Sequence, residues 1–120
     1  FKISAFEARD MEFWDAHCGY KKDILSSNGP AGYTLHCVSK YPCPDNEAKL
    51  HKVATNFGLS DHTRNPLSGA LAVALGAEYI ETHFRLFDTS PECPDYVVAR
   101  NPTELHQYIK NIRHAEVLLG

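Results

Sequence analysis

Gly58-Leu59-Ser60-Asp61-His62-Thr63 decides how this chain is read. Gly58-Leu59-Ser60 suits a short strand, and it runs straight into Asp61-His62-Thr63, so several polar groups fall at the strand's C-terminal edge. In βα barrels that edge is where active sites form. A second histidine has the same setting: Glu78 to Phe84 alternates as a strand does and closes on Glu81-Thr82-His83-Phe84. Two neutral imidazoles from adjacent strand ends make a seat for a borderline divalent metal, with water or substrate completing the shell. The residues alone leave another reading open, in which His83 is a core histidine bonded to backbone and Asp61 is a helix cap.

Outward from this stretch, short apolar strands alternate with helical patterns, the signature of α/β architecture. Strands are predicted at Phe1–Ala5, Asp23–Ser26 and Tyr33–Val38, and a helix over Ala8–Cys18 from Met11, Trp14 and Cys18. After the Pro-rich loop Tyr41–Asp45, the positions Leu50, Val53, Ala54 and Phe57 predict a helix over Asn46–Phe57. Pro66 opens a small-residue helix that ends near Gly76. The last helix has a capping grammar: Asn101 as cap, Pro102 at its first position, Glu104 completing the box, and a stripe of Leu105, Tyr108, Ile109, Ile112 and Leu119. One connection breaks the alternation. Ser27 to Gly32 is too short for the crossover that parallel neighbours need. Either a helix is missing there, or the flanking strands are not parallel neighbours.

The composition narrows the function classes. A net charge of −3 over 120 residues carries no basic cluster of the kind nucleic acid requires. The most apolar run, Leu67 to Ile80, is cut by Ser68, Gly69, Gly76 and Glu78, so no membrane span is expected. No basic stretch followed by an apolar one opens the chain, and the start at Phe1, inside a strand pattern, reads as a cut. Cys18, Cys37, Cys43 and Cys93 have no paired spacing, which suggests free thiols and a cytoplasmic protein. A zinc cluster of His36, Cys37 and Cys43 is the sharper alternative, though its spacing matches no structural zinc pattern. Leu35 to Pro42 is a further strand that ends in polar and aromatic side chains. There, a satisfied His36 and a packed Tyr41 compete with a substrate contact, and Lys2 and Glu7 could be a plain surface pair.

Lys2-Ile3-Ser4-Ala5-Phe6-Glu7, Ile24-Leu25-Ser26-Ser27, Leu35 to Pro42, Gly58 to Thr63, Val73 to Ala77, Glu81 to Phe84, Pro94-Asp95 and the Asn101-Pro102-Thr103-Glu104-Leu105 helix start occur here in one order. Together they resemble the barrel of the N-acetylneuraminate (sialic acid) synthase family. The resemblance implies a single α/β domain over residues 1–120: a partial TIM-type barrel made of the family's strands four to eight, rearranged around residues 26–33. It implies that the family's first three strands and its antifreeze-like domain lie outside these residues.

The resemblance also implies a chemistry, the condensation of phosphoenolpyruvate with an N-acetylated amino sugar, assisted by a divalent cation (Mn or Mg). On that plan His62 and His83 are metal ligands and the metal polarises the sugar aldehyde. Glu7 and Asp95 are catalytic candidates, and Lys2, Ser26, Ser39, Tyr41 and Asp61 are substrate-binding candidates. The missing strands supply further contacts in the family, so the isolated chain is expected to be inactive. The alternative is a non-catalytic sugar- or metal-binding or assembly module derived from the same barrel. An open sheet face bearing Ile24, Leu35, Val38, Leu59 and Ile80 is expected to drive association into a homo-oligomer.

Overall fold

A computed structural model describes the backbone of residues 2–4 and the whole of residues 34–120. The predicted elements at Ala8–Cys18 and Asp23–Ser26, the 26–33 connection, and the candidates Glu7 and Ser26 lie outside the described residues. Among the described residues, four parallel strands form one sheet: β1 (Lys2–Ser4), β2 (Leu35–Cys37), β3 (Gly58–Asp61) and β4 (Tyr79–His83), in the order β1-β4-β3-β2. Helices α1 (Ser68–Ala74) and α2 (Pro102–Leu119) complete an α/β architecture.

The sheet order differs from the barrel plan in one place. On that plan three strands stand between the first strand of this sequence and the last. Here β1 hydrogen-bonds directly to β4, with Lys2, Ile3 and Ser4 opposite Glu81, Thr82 and His83. A bare strand edge presents open N–H and C=O groups, and β1 satisfies those of β4.

The core lies between one sheet face and the two helices. Successive side chains of a strand point to opposite faces, so Leu59, Ile80 and Phe84 all reach the helix side. There they pack with Val53, Ala72, Leu105, Tyr108, Ile109 and Ile112. This corrects the expectation that Leu59 and Ile80 lie on an uncovered face: each is 3% exposed. At Gly69, a Cβ would stand 2.7 Å from the Tyr108 ring and hydroxyl, so α1 meets α2 through the missing side chain. Gly76, at φ 94, then ends α1 in the left-handed conformation that glycine tolerates.

Two further elements differ from expectation. The region predicted as one helix over Asn46–Phe57 is two 3-10 segments, Asp45–Glu47 and Leu50–Thr55, separated by Lys49 at φ 50. A left-handed residue cannot continue a right-handed α-helix. The cap of α2 forms as read, with the Asn101 side chain accepting from Glu104 N and Glu104 accepting from Asn101 N, each at 2.9 Å. Its stripe is buried from Leu105 to Ile112, whereas Leu119 is exposed. Among the described residues no helix is long and apolar enough to cross a membrane.

Candidate functional site

The face of the sheet turned away from the helices carries Ser60, Glu81 and His83. Ser60 and Glu81 are opposite each other in register on β3 and β4, and the Ser60 hydroxyl donates to Glu81 Oε1 at 3.3 Å. His83 follows Glu81 by two residues and therefore shares its face. In the neighbouring strand Lys2 is in register with Glu81, and Ser4 with His83. On the other side Cys37 is in register with Ser60.

Where β3 ends, His62 joins this group. Its ring lies 5.4 Å from that of His83, centroid to centroid, at 66°. The Tyr41 ring, half exposed, covers His62 at 4.3 Å and meets the His83 ring edge-on at 6.1 Å. Burial, and then the nearby Cys37, Asp95 and Glu81, push the Tyr41 hydroxyl above its ordinary pKa, so Tyr41 is neutral at physiological pH.

The surroundings orient the imidazoles. His62 Nδ1 lies 2.8 Å from Val38 O, and a carbonyl can only accept, so Nδ1 carries a proton and, in the neutral ring, Nε2 holds the lone pair. The Cys37 sulfur lies 3.8 Å from the same Nδ1. His83 Nδ1 stands 3.3 Å from Asp95 Oδ2, an ion-pair separation rather than a close hydrogen bond. Asp95 is held at φ 62, and its backbone carbonyl accepts from Val98 N and Ala99 N at 2.9 Å each. Nδ1 turned to a carbonyl or carboxylate is the usual second contact of a metal-binding histidine, with ligation through Nε2. The donor chemistry therefore fits a divalent cation held by two nitrogens. Among the described residues no group of three His, Cys, Asp or Glu side chains is placed to hold a metal ion, so a cation here would take its remaining ligands from water or substrate.

Not every predicted residue joins this group. Ser39 is exposed, on the turn closed by Lys40 N and Val38 O. Asp61 is 1% exposed and faces the helices. Its Oδ1 accepts from Thr63 N at 2.8 Å, while Oδ2 accepts from Ser68 Oγ, from Tyr108 OH at 2.6 Å and from Arg100 Nη2 at 3.1 Å. It caps no helix, since α1 begins after Leu67 with no side-chain cap. The His36-Cys37-Cys43 cluster does not assemble: His36 Nε2 donates to Ala48 O at 2.8 Å and Cys43 Sγ to Pro44 O at 3.5 Å. Cys37, Cys43 and Cys93 are free thiols, as expected.

Three residues were missed. Glu81 was open to sequence reading, because it precedes His83 by two on one strand. Arg100 and Tyr108 left a fainter trace: an arginine after the apolar Val97-Val98-Ala99, and a tyrosine within a buried helical stripe.

The NeuB family pattern matches residues 32–120, and the chain belongs to the NeuB family. It is 37% identical over 117 residues to an uncharacterized protein of Methanocaldococcus jannaschii, covering 91% of this chain and 33% of that protein. It is 38% identical over 108 residues to the N,N'-diacetyllegionaminic acid synthase of Campylobacter jejuni, covering 82% of this chain and 32% of the enzyme. Among solved structures, the N-acetylneuraminic acid (sialic acid) synthetase of Leptospira borgpetersenii, in complex with citrate, superposes with a TM-score of 0.63 at 34% identity. That match covers 72% of this chain and 33% of the synthetase. The chain thus spans about a third of the length of these relatives.

Proposed function

We propose that this chain is the metal-binding part of a nonulosonate synthase active site, within a partial (β/α) barrel that forms one domain. The reaction is the condensation of phosphoenolpyruvate with an N-acetylated amino sugar. His62 and His83 would hold a divalent cation through their Nε2 atoms, and the cation, when bound, would act as a Lewis acid on the sugar aldehyde. Lys2 would meet the anionic phosphoenolpyruvate. Tyr41 and Asp95 would line the sugar side, with Asp95 also orienting His83, and Glu7 and Ser26 would complete the shell. Ser39, exposed on its turn, would reach the sugar only at the rim of the site. The observation that supports this reading most is the edge-on His62–His83 pair, with Nδ1 of one ring on Val38 O and of the other beside Asp95.

Calorimetric titration of the chain with Zn2+ and Mn2+ tests the reading. We expect modest affinity, tighter for Zn2+ by the Irving–Williams order, weakening in acid as protons compete for the nitrogens. Either His62→Ala or His83→Ala should abolish it. Binding unchanged in both variants would overturn the site. With phosphoenolpyruvate, Mn2+ and N-acetylmannosamine, the 120 residues alone should release no phosphate above background, because the rest of the family's length is needed to surround the developing charge.

A further inference from the structure

We propose that Arg100 is a positioning residue for the His62–His83 pair, one buried guanidinium fork setting the separation of the two imidazoles. The proposal rests on the metal reading above for its purpose, though not for its geometry. Arg100 is 2% exposed. Its Nη1 donates to Thr82 Oγ1, and its Nη2 donates to Asp61 Oδ2 at 3.1 Å and to Asn65 O at 3.0 Å. Asp61 and Thr82 are opposite each other in the last rung of the β3–β4 ladder, and each immediately precedes a histidine. Beyond that rung β3 leaves the sheet, so the ladder itself no longer fixes His62.

The fork supplies what the ladder lacks. Through Asp61, whose Oδ1 binds Thr63 N, it closes the backbone on both sides of His62. Through Thr82 and through Arg100 N, which donates to His83 O at 2.8 Å, it does the same for His83. Tyr108 fixes the plane of the fork, since the guanidinium carbon lies 3.9 Å from its ring centroid. Only a planar, two-armed cation joins both strand ends at once; an ammonium is a point charge that satisfies one of them. A buried ion pair by itself is weak support for stability, because apolar replacements often fold equally well. What sets this one apart is its position across the two strand ends.

The test uses the full chain and two variants. Arg100→Lys keeps the charge beside Asp61 but gives up the second arm. The double variant Arg100→Met with Asp61→Asn removes both charges, so no unpaired charge is left buried. Thermal melts by circular dichroism establish that each is folded. Two readouts then follow: Zn2+ affinity by calorimetry, and, without metal, ring-proton Overhauser contacts between His62 and His83. We expect Zn2+ affinity to fall at least tenfold in both variants, with the inter-ring contacts weakened. Folded variants that keep wild-type inter-ring contacts would overturn the proposal, whatever the metal does. If the wild-type chain binds no Zn2+ yet its inter-ring contacts are lost in Arg100→Lys, the positioning role stands and the metal reading falls.

Discussion

The two faces of the β3–β4 pair use polar residues in opposite ways. On the helix side Asp61, Thr82 and Arg100 are almost wholly buried, and the Asp61 carboxylate and the Arg100 fork are filled with partners from the chain itself. On the far side Ser60, Glu81, His62 and His83 converge beneath a half-exposed Tyr41, and the imidazoles are aimed by their second nitrogens. A polar group inside a protein costs stability unless it is bonded. The first face meets that demand by joining Asp61 to Arg100 and Tyr108, and the second by Ser60 on Glu81 and His62 on Val38 O. Burial alone does not tell the two faces apart, since His62 is 4% exposed and Asp61 1%. Their partners do: the Val38 carbonyl for His62, and Thr63, Ser68, Tyr108 and Arg100 for Asp61.

Substitutions can break that contrast. Asp61→Ala should have the largest effect, a loss of about 3–5 kcal/mol, because it leaves the Arg100 charge buried without its partner. Denaturant unfolding checks it, and a loss below about 1 kcal/mol would mean that the helix-side network is not structural. Tyr108→Phe removes one bond to a charged acceptor and should cost about 1.5–3 kcal/mol. It should also change the alkaline limb. Burial, and then the Asp61 charge, hold the Tyr108 hydroxyl well above its ordinary pKa, so the folded chain retains a proton that the unfolded chain releases. Stability should then fall as pH rises beyond about 10, and the phenylalanine variant should lose part of that slope. Equal slopes in the two proteins would remove the effect. Tyr41→Ala, on the open face, should shift stability by less than about 0.5 kcal/mol. A larger loss would show that the second face also carries structure.

Much of this was legible in the sequence because its signals are local. A period of two separates the faces of Tyr79 to His83, and Asn101, Pro102 and Glu104 state a helix start within four residues. The Leu50–Phe57 region was misread because an α-helix and a 3-10 helix both bring residues three apart together, so Leu50 and Val53 fit either. The break between the two segments falls at Lys49, whose left-handed backbone has no sequence signature. Leu119 follows the stripe's period, but α1 has only seven residues beside the eighteen of α2, and it runs out before α2's last turns. The Arg100–Asp61 pair joins residues 39 apart in sequence, and no local pattern announces such a partner.

The direct pairing of β1 with β4 bears on the order in which the chain folds. Joining β3 to β4 closes a loop of 17 residues, from 62 to 78, whereas joining β1 to β4 closes one of 74, from 5 to 78. The longer closure costs about 1 kcal/mol more in chain entropy, before any contact compensates for it. The β3–α1–β4 unit, with both histidine-bearing strand ends, is therefore expected to form first, with β1 docking onto it later. Pulsed amide exchange during refolding should protect Ile80 and Thr82 before Ile3, and protection of Ile3 first would reverse the order.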